Sequence, residues 1–287
     1  MGKIIAGIGC SHVPSAGAAF DQGKQESPEW KPLFDGYAPA MQWLKQAKID
    51  VAIFIYNDHG TDFFFDKYPT FAMGVADTYA PGDEGWGPRP LKPIPGDPVF
   101  SWHVAESLIT ESEFDMTVCQ ELFVDHGLLT PLPMLWSNEP EWDIKVLPVV
   151  VNVLQHPLPT ARRLWKLGQA LRQAVESYPQ DLRVAILGTG GLSHQLHGER
   201  FGFRNETWDR DFMERVVTSP ETLVELSHHD YMLQGGAEAV EMIMWLGMRG
   251  ALSDNVKLVH EHYYAPMLTG MGLLLLQDTE SPRTSGI

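Results

Sequence analysis

The chain is poor in cysteine, in positive charge and in long apolar runs, and each shortage removes a class of function. Cys10 and Cys119 are the only cysteines among 287 residues. They allow no disulfide framework and no Cys-x-x-Cys motif, and a reducing cytoplasm is the expected setting. Lys and Arg number 21 against 37 Asp and Glu, a formal net charge of −16. Such a surface repels phosphate backbones, so nucleic acid is not an expected partner. It also repels an anionic substrate unless a metal or a local cation offsets it. No apolar stretch approaches the ~18 residues of a membrane span, so no membrane partner is expected. The opening apolar run after Met1-Gly2-Lys3 is too brief for a secretory signal. A Walker Lys-Ser/Thr and a complete Gly-x-Gly-x-x-Gly opening a helix are both missing, which argues against a phosphate cradle.

What is present is a series of apolar strands, each ending in a polar turn. Lys3–Gly9, Val51–Tyr56, Phe114–Cys119, Lys145–Val153 and Leu182–Leu187 read as strands, and Val51–Tyr56 is apolar throughout, as a strand covered on both faces should be. Helical spacing appears over Ala38–Lys48, Ser101–Leu108 and Thr160–Tyr178. A longer helix is expected over Asp230–Met248, and a helix-rich stretch over residues 206–226. Residues 62–100 show no helical period and read as a long loop. Val256–Tyr264 and Met271–Gln277 close the chain as two strands. This alternation predicts one α/β domain over residues 1–287: a three-layer α/β/α sandwich with a mostly parallel or mixed central sheet.

Histidines recur at the strand ends. His12 follows the first strand, with Pro14 holding Val13 extended. His59 follows the second in Asn57-Asp58-His59-Gly60, and His126 sits in a similar Asp125-His126-Gly127. His194 follows Gly188-Thr189-Gly190-Gly191, whose glycines are expected to turn the chain sharply or take φ > 0. Carboxyl ends of strands are where α/β sheets place ligands, so His194 is a candidate general acid/base. Glu241 lies in an apolar run, where a carboxylate needs a partner or a metal. Glu238, one turn earlier, suits a solvated face. Two His and one carboxylate leave three positions open on non-haem Fe(II), and the same set could hold Zn2+. A zinc-dependent hydrolase on the same kind of fold is therefore the competing reading. Arg89, in a Pro/Gly-rich run, is the best cation for gripping a carboxylate.

Ser11-His12-Val13-Pro14, Tyr56-Asn57-Asp58-His59, Asp83–Arg89, Asp125-His126-Gly127, Gly188–Gln195 and Glu241–Gly250 resemble the class III extradiol ring-cleavage dioxygenases, among them the protocatechuate 4,5-dioxygenase β subunit and the gallate dioxygenases. The resemblance covers nearly the whole chain. It implies Fe(II) held by His12, His59 and Glu241, His194 as the catalytic acid/base and His126 as a second active-site histidine. Asn57, Thr269 and Arg89 are the expected substrate contacts. The implied reaction opens a carboxylated catechol with both atoms of O2. Met267-Leu268-Thr269-Gly270 departs from the protocatechuate pattern, while residues 155–163 and His197-Gly198-Glu199-Arg200 are more like gallate dioxygenases. Gallate enzymes carry an extra C-terminal region and protocatechuate enzymes a small α subunit. This chain runs to Ile287 without such a cap, which implies a partner chain or an enzyme that works without one. A homo-oligomer is expected.

Overall fold

A computed structural model describes residues 1–279. Its strands are β1 (Gly2–Cys10), β2 (Val51–Tyr56), β3 (Phe71–Gly74), β4 (Thr78–Pro81), β5 (Ile94–Pro95), β6 (Thr117–Cys119), β7 (Phe123–Val124), β8 (Lys145–Val151), β9 (Leu182–Thr189), β10 (Val256–Tyr264) and β11 (Met271–Asp278). The helices are α1 (Pro14–Asp21), α2 (Lys31–Ala47), α3 (Pro98–Glu106), α4 (His126–Leu129), α5 (Leu132–Leu135), α6 (Ala161–Ser177), α7 (Glu206–Thr218), α8 (Pro220–Val224), α9 (His228–Gly235) and α10 (Ile243–Gly250).

Eight strands form one sheet in the order β10-β11-β1-β9-β2-β8-β3-β6. The run β1-β9-β2-β8 is parallel, whereas β3 on β8 and β11 on β1 are antiparallel. The sheet is thus mixed around a parallel centre. Successive side chains of a strand point to opposite faces, and both faces here are dry. Val51, Ile53 and Ile55 of β2 pack into one core with α6 and α10, while Ala52, Phe54 and Tyr56 pack into another with α2, α4 and α5. Two cores on one sheet make the expected three-layer sandwich. Each Ile or Leu so buried contributes about 1.5–3 kcal/mol.

Local chemistry explains the boundaries. Thr160 caps α6 by accepting Arg163 N–H, as its position predicts, and Leu164, Leu167 and Leu171 form the buried stripe. α2 begins seven residues before the expected Ala38 (Lys31), because Pro32 suits a first helical turn and Pro39 is tolerated inside. The loop expected over residues 62–100 is also more ordered: it supplies β3, and its β4 and β5 form a small sheet with β7. The helix expected over Asp230–Met248 is two helices. Gly236, at φ 98°, ends α9, and a 3-10 turn over Ala237–Met242 leads into α10. That break swings Glu241 inward, beneath the sheet's carboxyl edge. Among the described residues no helix is long and apolar enough to cross a membrane.

Candidate metal centre

β1, β9 and β2 lie side by side and end together: Cys10 is paired with Thr189, and Ile55 with Gly188. The chain leaves β1 into Ser11-His12 and leaves β2 into Asn57-Asp58-His59, so the two imidazoles flank the end of β9. The Asp58 carboxylate folds the second turn by accepting the N–H groups of Gly60, Thr61, Asp62 and Phe63. The glycines at the end of β9 and just after it serve close approach rather than positive φ; none of Gly188, Gly190 and Gly191 has one. A Cβ on Gly188 would lie 2.3 Å from Met244 O, and one on Gly190 2.7 Å from Glu241 O. Their absence lets the segment carrying Glu241 settle against the strand end.

Three ligand-type side chains converge there. His12 Nε2 is 3.2 Å from Glu241 Oε2, and His59 Nε2 is 3.7 Å from Glu241 Oε1. Neighbouring ligands at about 2.1 Å from one ion, at right angles, are separated by about 3 Å. The ring centroids of His12 and His59 are 5.1 Å apart. Glu241 Oε2 also accepts Gly191 N–H at 3.0 Å.

The partners behind the rings decide which nitrogen is available. Thr189 Oγ1 donates its single proton to Gly127 O at 2.7 Å, so it accepts from His12 Nδ1 at 3.0 Å. Asp125 Oδ2 accepts from His59 Nδ1 at 3.0 Å and from His59 N–H at 2.6 Å. Asp125 is fully buried, and burial raises its carboxyl pKa, but His59 outweighs that and holds it down to about 2. With both Nδ1 atoms donating, both Nε2 lone pairs face a carboxylate. Burial also raises Glu241, yet the facing imidazoles hold it well below the usual carboxylate range. Three electron-rich atoms this close need a cation among them. A proton can serve: burial lowers His59, but Asp125 and Glu241 prevail and lift its pKa to about 10. A divalent metal fits the same donor set, with neutral imidazoles oriented from behind as metal-binding histidines are.

Two more histidines border the cluster. The ring of His126 lies 3.8 Å, centroid to centroid, from His59 and 5.5 Å from His12, and its nitrogens could join theirs around an ion. Glu84, however, holds His126 through both its Nδ1 and its backbone N–H. His194 is buried, and its Nδ1 donates to Leu192 O at 2.7 Å, which leaves Nε2 as a proton acceptor. Thr269 is buried against the same loop: a Cβ on Gly191 would meet both His194 and Thr269 Cγ2.

Of the remaining expected residues, Asn57 joins this cluster, while Arg89 and Glu238 lie away from it. Asn57 is wholly buried, with Nδ2 2.9 Å from His59 Nε2 and 3.5 Å from Glu241 Oε1, so it belongs to the ligand cluster. Arg89 does not present an open guanidinium. It pairs with Asp21 at 2.7 and 2.8 Å and donates to Leu129 O and Gly17 O, tying its own loop to α1 and to the end of α4. Glu238 accepts from His197 and Leu196, outside the cluster, as its more polar position suggests. Sequence reasoning missed Thr189, Asp125 and Glu84. Asp125 stands 66 residues from His59, and only the repeated Asp-His-Gly hinted that the acid mattered.

Comparison with known proteins identifies the family. Residues 6–275 match the family described as the catalytic LigB subunit of aromatic ring-opening dioxygenase. A gallate dioxygenase of Pseudomonas putida is 48% identical over 198 residues, covering 69% of this chain and 58% of that protein. A 2,3-dihydroxyphenylpropionate/2,3-dihydroxicinnamic acid 1,2-dioxygenase of Photorhabdus laumondii is 26% identical over 93% of this chain and 95% of its own. The chain therefore spans little more than half of the gallate enzyme's length. An uncharacterised Escherichia coli protein of known structure shares the fold, with a TM-score of 0.55 and 13% identity over 95% of this chain and 99% of its own. With a match that runs from β1 into β11, the chain belongs to the family of catalytic LigB subunits of aromatic ring-opening dioxygenases.

Proposed function

We propose that this chain is a single catalytic domain that binds one Fe(II) through His12 Nε2, His59 Nε2 and the Glu241 carboxylate, and opens the ring of a carboxylated catechol beside a hydroxyl-bearing carbon. The observation that carries the reading is the approach of two rear-anchored imidazoles to the two oxygens of one ionised carboxylate at the strand ends. When bound, ferrous iron supplies open positions for two adjacent ring oxygens and O2, and a path for electrons between them.

The chain's own groups do the rest. His194, with Nδ1 held by Leu192 O, takes a proton at Nε2 and returns it as a general acid. His126, fixed by Glu84, lines the substrate space next to His59. Thr269 and the backbone N–H groups of its segment face the ring carboxylate, since Met267 and Leu268 bring apolar side chains. Arg89 is committed to Asp21 and contributes through the loop it braces. Trp86, Leu196, Phe201, Met267 and Leu268 are large, apolar and exposed. All lie on segments that carry or adjoin His126, His194 and Thr269, which supports a covering chain or a second copy over the site.

The test is anaerobic loading with Fe(II), followed by oxygen uptake with protocatechuate, gallate, 3-O-methylgallate and catechol. Uptake of one O2 per ring acid, with a ring-opened product, is the expected result. Zinc retention without oxygen uptake would overturn it.

A further inference from the structure

His194 hangs from a loop whose anchor lies outside the ligand cluster. Asp209, in the first turn of α7, is fully buried. Its Oδ1 accepts Ser193 N–H at 2.7 Å, and its Oδ2 accepts the Ser193 hydroxyl at 2.7 Å and the Tyr263 hydroxyl at 2.9 Å. Ser193 Oγ in turn accepts Asn205 N–H at 2.7 Å, at the cap of α7. The same carboxylate abuts the segment that carries Thr269: a Cβ on Gly270 would lie 2.3 Å from Oδ2. Backbone bonds complete the joint, Leu192 N–H to Gly270 O at 3.1 Å and Gly270 N–H to Ser193 O at 3.0 Å. A buried carboxylate is costly without donors. Here two donors come from Ser193, next to His194, and the third from Tyr263 near the end of β10, the strand that leads into the segment carrying Thr269.

We propose that Asp209 is a positioning residue that couples the proton-transferring His194 to the substrate-facing segment at Thr269. Through Ser193 it sets the loop from which the imidazole projects; through Tyr263 and Gly270 it sets where the ring acid is held. The proposal rests on the roles given above to His194 and Thr269. Its two arms end on different residues, so they can be cut separately without removing the buried charge. A misplacement of about 1 Å at a reacting group costs about 100-fold in rate. Loss of one hydrogen bond costs about fivefold in binding.

The test compares Ser193→Ala, Tyr263→Phe and Asp209→Asn with the unaltered protein. Ser193→Ala is expected to lower kcat about 10- to 100-fold with KM little changed. Tyr263→Phe is expected to raise KM for ring acids about fivefold with kcat nearly kept. Asp209→Asn should move both. A second readout needs neither metal nor turnover: the ring 15N resonances of His194 in metal-free protein, assigned by their loss in His194→Ala. The unaltered protein should show one Nδ1–H form, and Ser193→Ala and Asp209→Asn a mixture. If His194 keeps one form in all variants and only the melting temperature falls, Asp209 is a brace and the proposal is overturned. If the unaltered, iron-loaded protein opens no ring acid, the activity reading fails, and the 15N spectra still decide the coupling.

Discussion

The imidazoles of His12 and His59 are gripped from behind, by Thr189 on β9 and by Asp125 at the start of α4, and their free nitrogens have one direction to face. The segment over residues 265–270 is made differently. Thr269 and Gly270 are buried and Gly270 is backbone-bonded, while Met267 and Leu268 just before them are exposed. Strand ends and buried acids fix the first region, so on the proposed reading its donor atoms are oriented before an ion arrives. Met267 and Leu268 give the second region side chains of little polarity, so on the proposed reading selectivity there would rest on shape and backbone N–H groups. The contrast teaches that metal retention and substrate choice should respond to different substitutions.

The largest break is expected at the ligands. His12→Ala, His59→Ala or Glu241→Ala should each abolish retention of iron and with it turnover, measured by metal analysis after anaerobic dialysis. Glu238→Ala, whose carboxylate serves His197 and Leu196, should keep both. Next comes His194→Ala. It should retain iron and lose turnover by about 10^2–10^4, the range for a positioned acid/base; iron lost with the imidazole would place His194 among the ligands.

A smaller effect is expected behind His59. Asp125→Asn keeps the shape but removes the charge that orients the ring, and metal affinity should fall about 10- to 100-fold. The same pair sets a pH dependence in the metal-free protein. The folded pKa of His59, about 10, lies above its ordinary 6.5, so the stability it brings is complete below pH 6.5 and lost as pH rises through about 10. Asp125 lies below its ordinary 3.8, so its contribution is present above that value and lost as pH falls through about 2. On the proposed reading, a bound metal would take the place of the His59 proton. Melting curves at pH 6 and pH 10 should therefore diverge more without metal than with it; equal divergence would separate His59 from the metal.

How much of this was legible in the sequence differs between the regions as well. Strands and their polar ends were readable, because β2 is apolar at every position and each histidine follows a strand or short turn. Glu241 stood out as a carboxylate in an apolar run. The break at Gly236 was not readable, since Gly235-Gly236 inside an apolar helical pattern does not say which glycine takes φ 98°. Nor were Thr189, Asp125 and Glu84, whose roles depend on contacts far apart in the chain. Arg89 misled for the same reason: Asp21, which occupies it, is 68 residues away.

The smallest effects are expected at the substrate end. With Met267 and Leu268 in place of polar side chains, kcat/KM for gallate or its 3-O-methyl ether should equal or exceed that for protocatechuate, and catechol should be poor. Catechol turned over as well as the acids would remove the carboxylate site from this account. Arg89→Ala should act mainly on stability, by about 3 kcal/mol for a broken buried pair, with KM little changed. A large rise in KM for the acids alone would return Arg89 to the substrate.

The central claim is that two histidines and Glu241, rather than three histidines, hold the metal. It is tested most directly by anaerobic metal stoichiometry of His126→Ala beside Glu241→Ala, both folded by circular dichroism. One iron per chain in His126→Ala and none in Glu241→Ala is the result expected. Iron kept by Glu241→Ala and lost by His126→Ala would contradict it, and would assign the ion to His12, His59 and His126, whose ring nitrogens lie within 4.8 Å of one another.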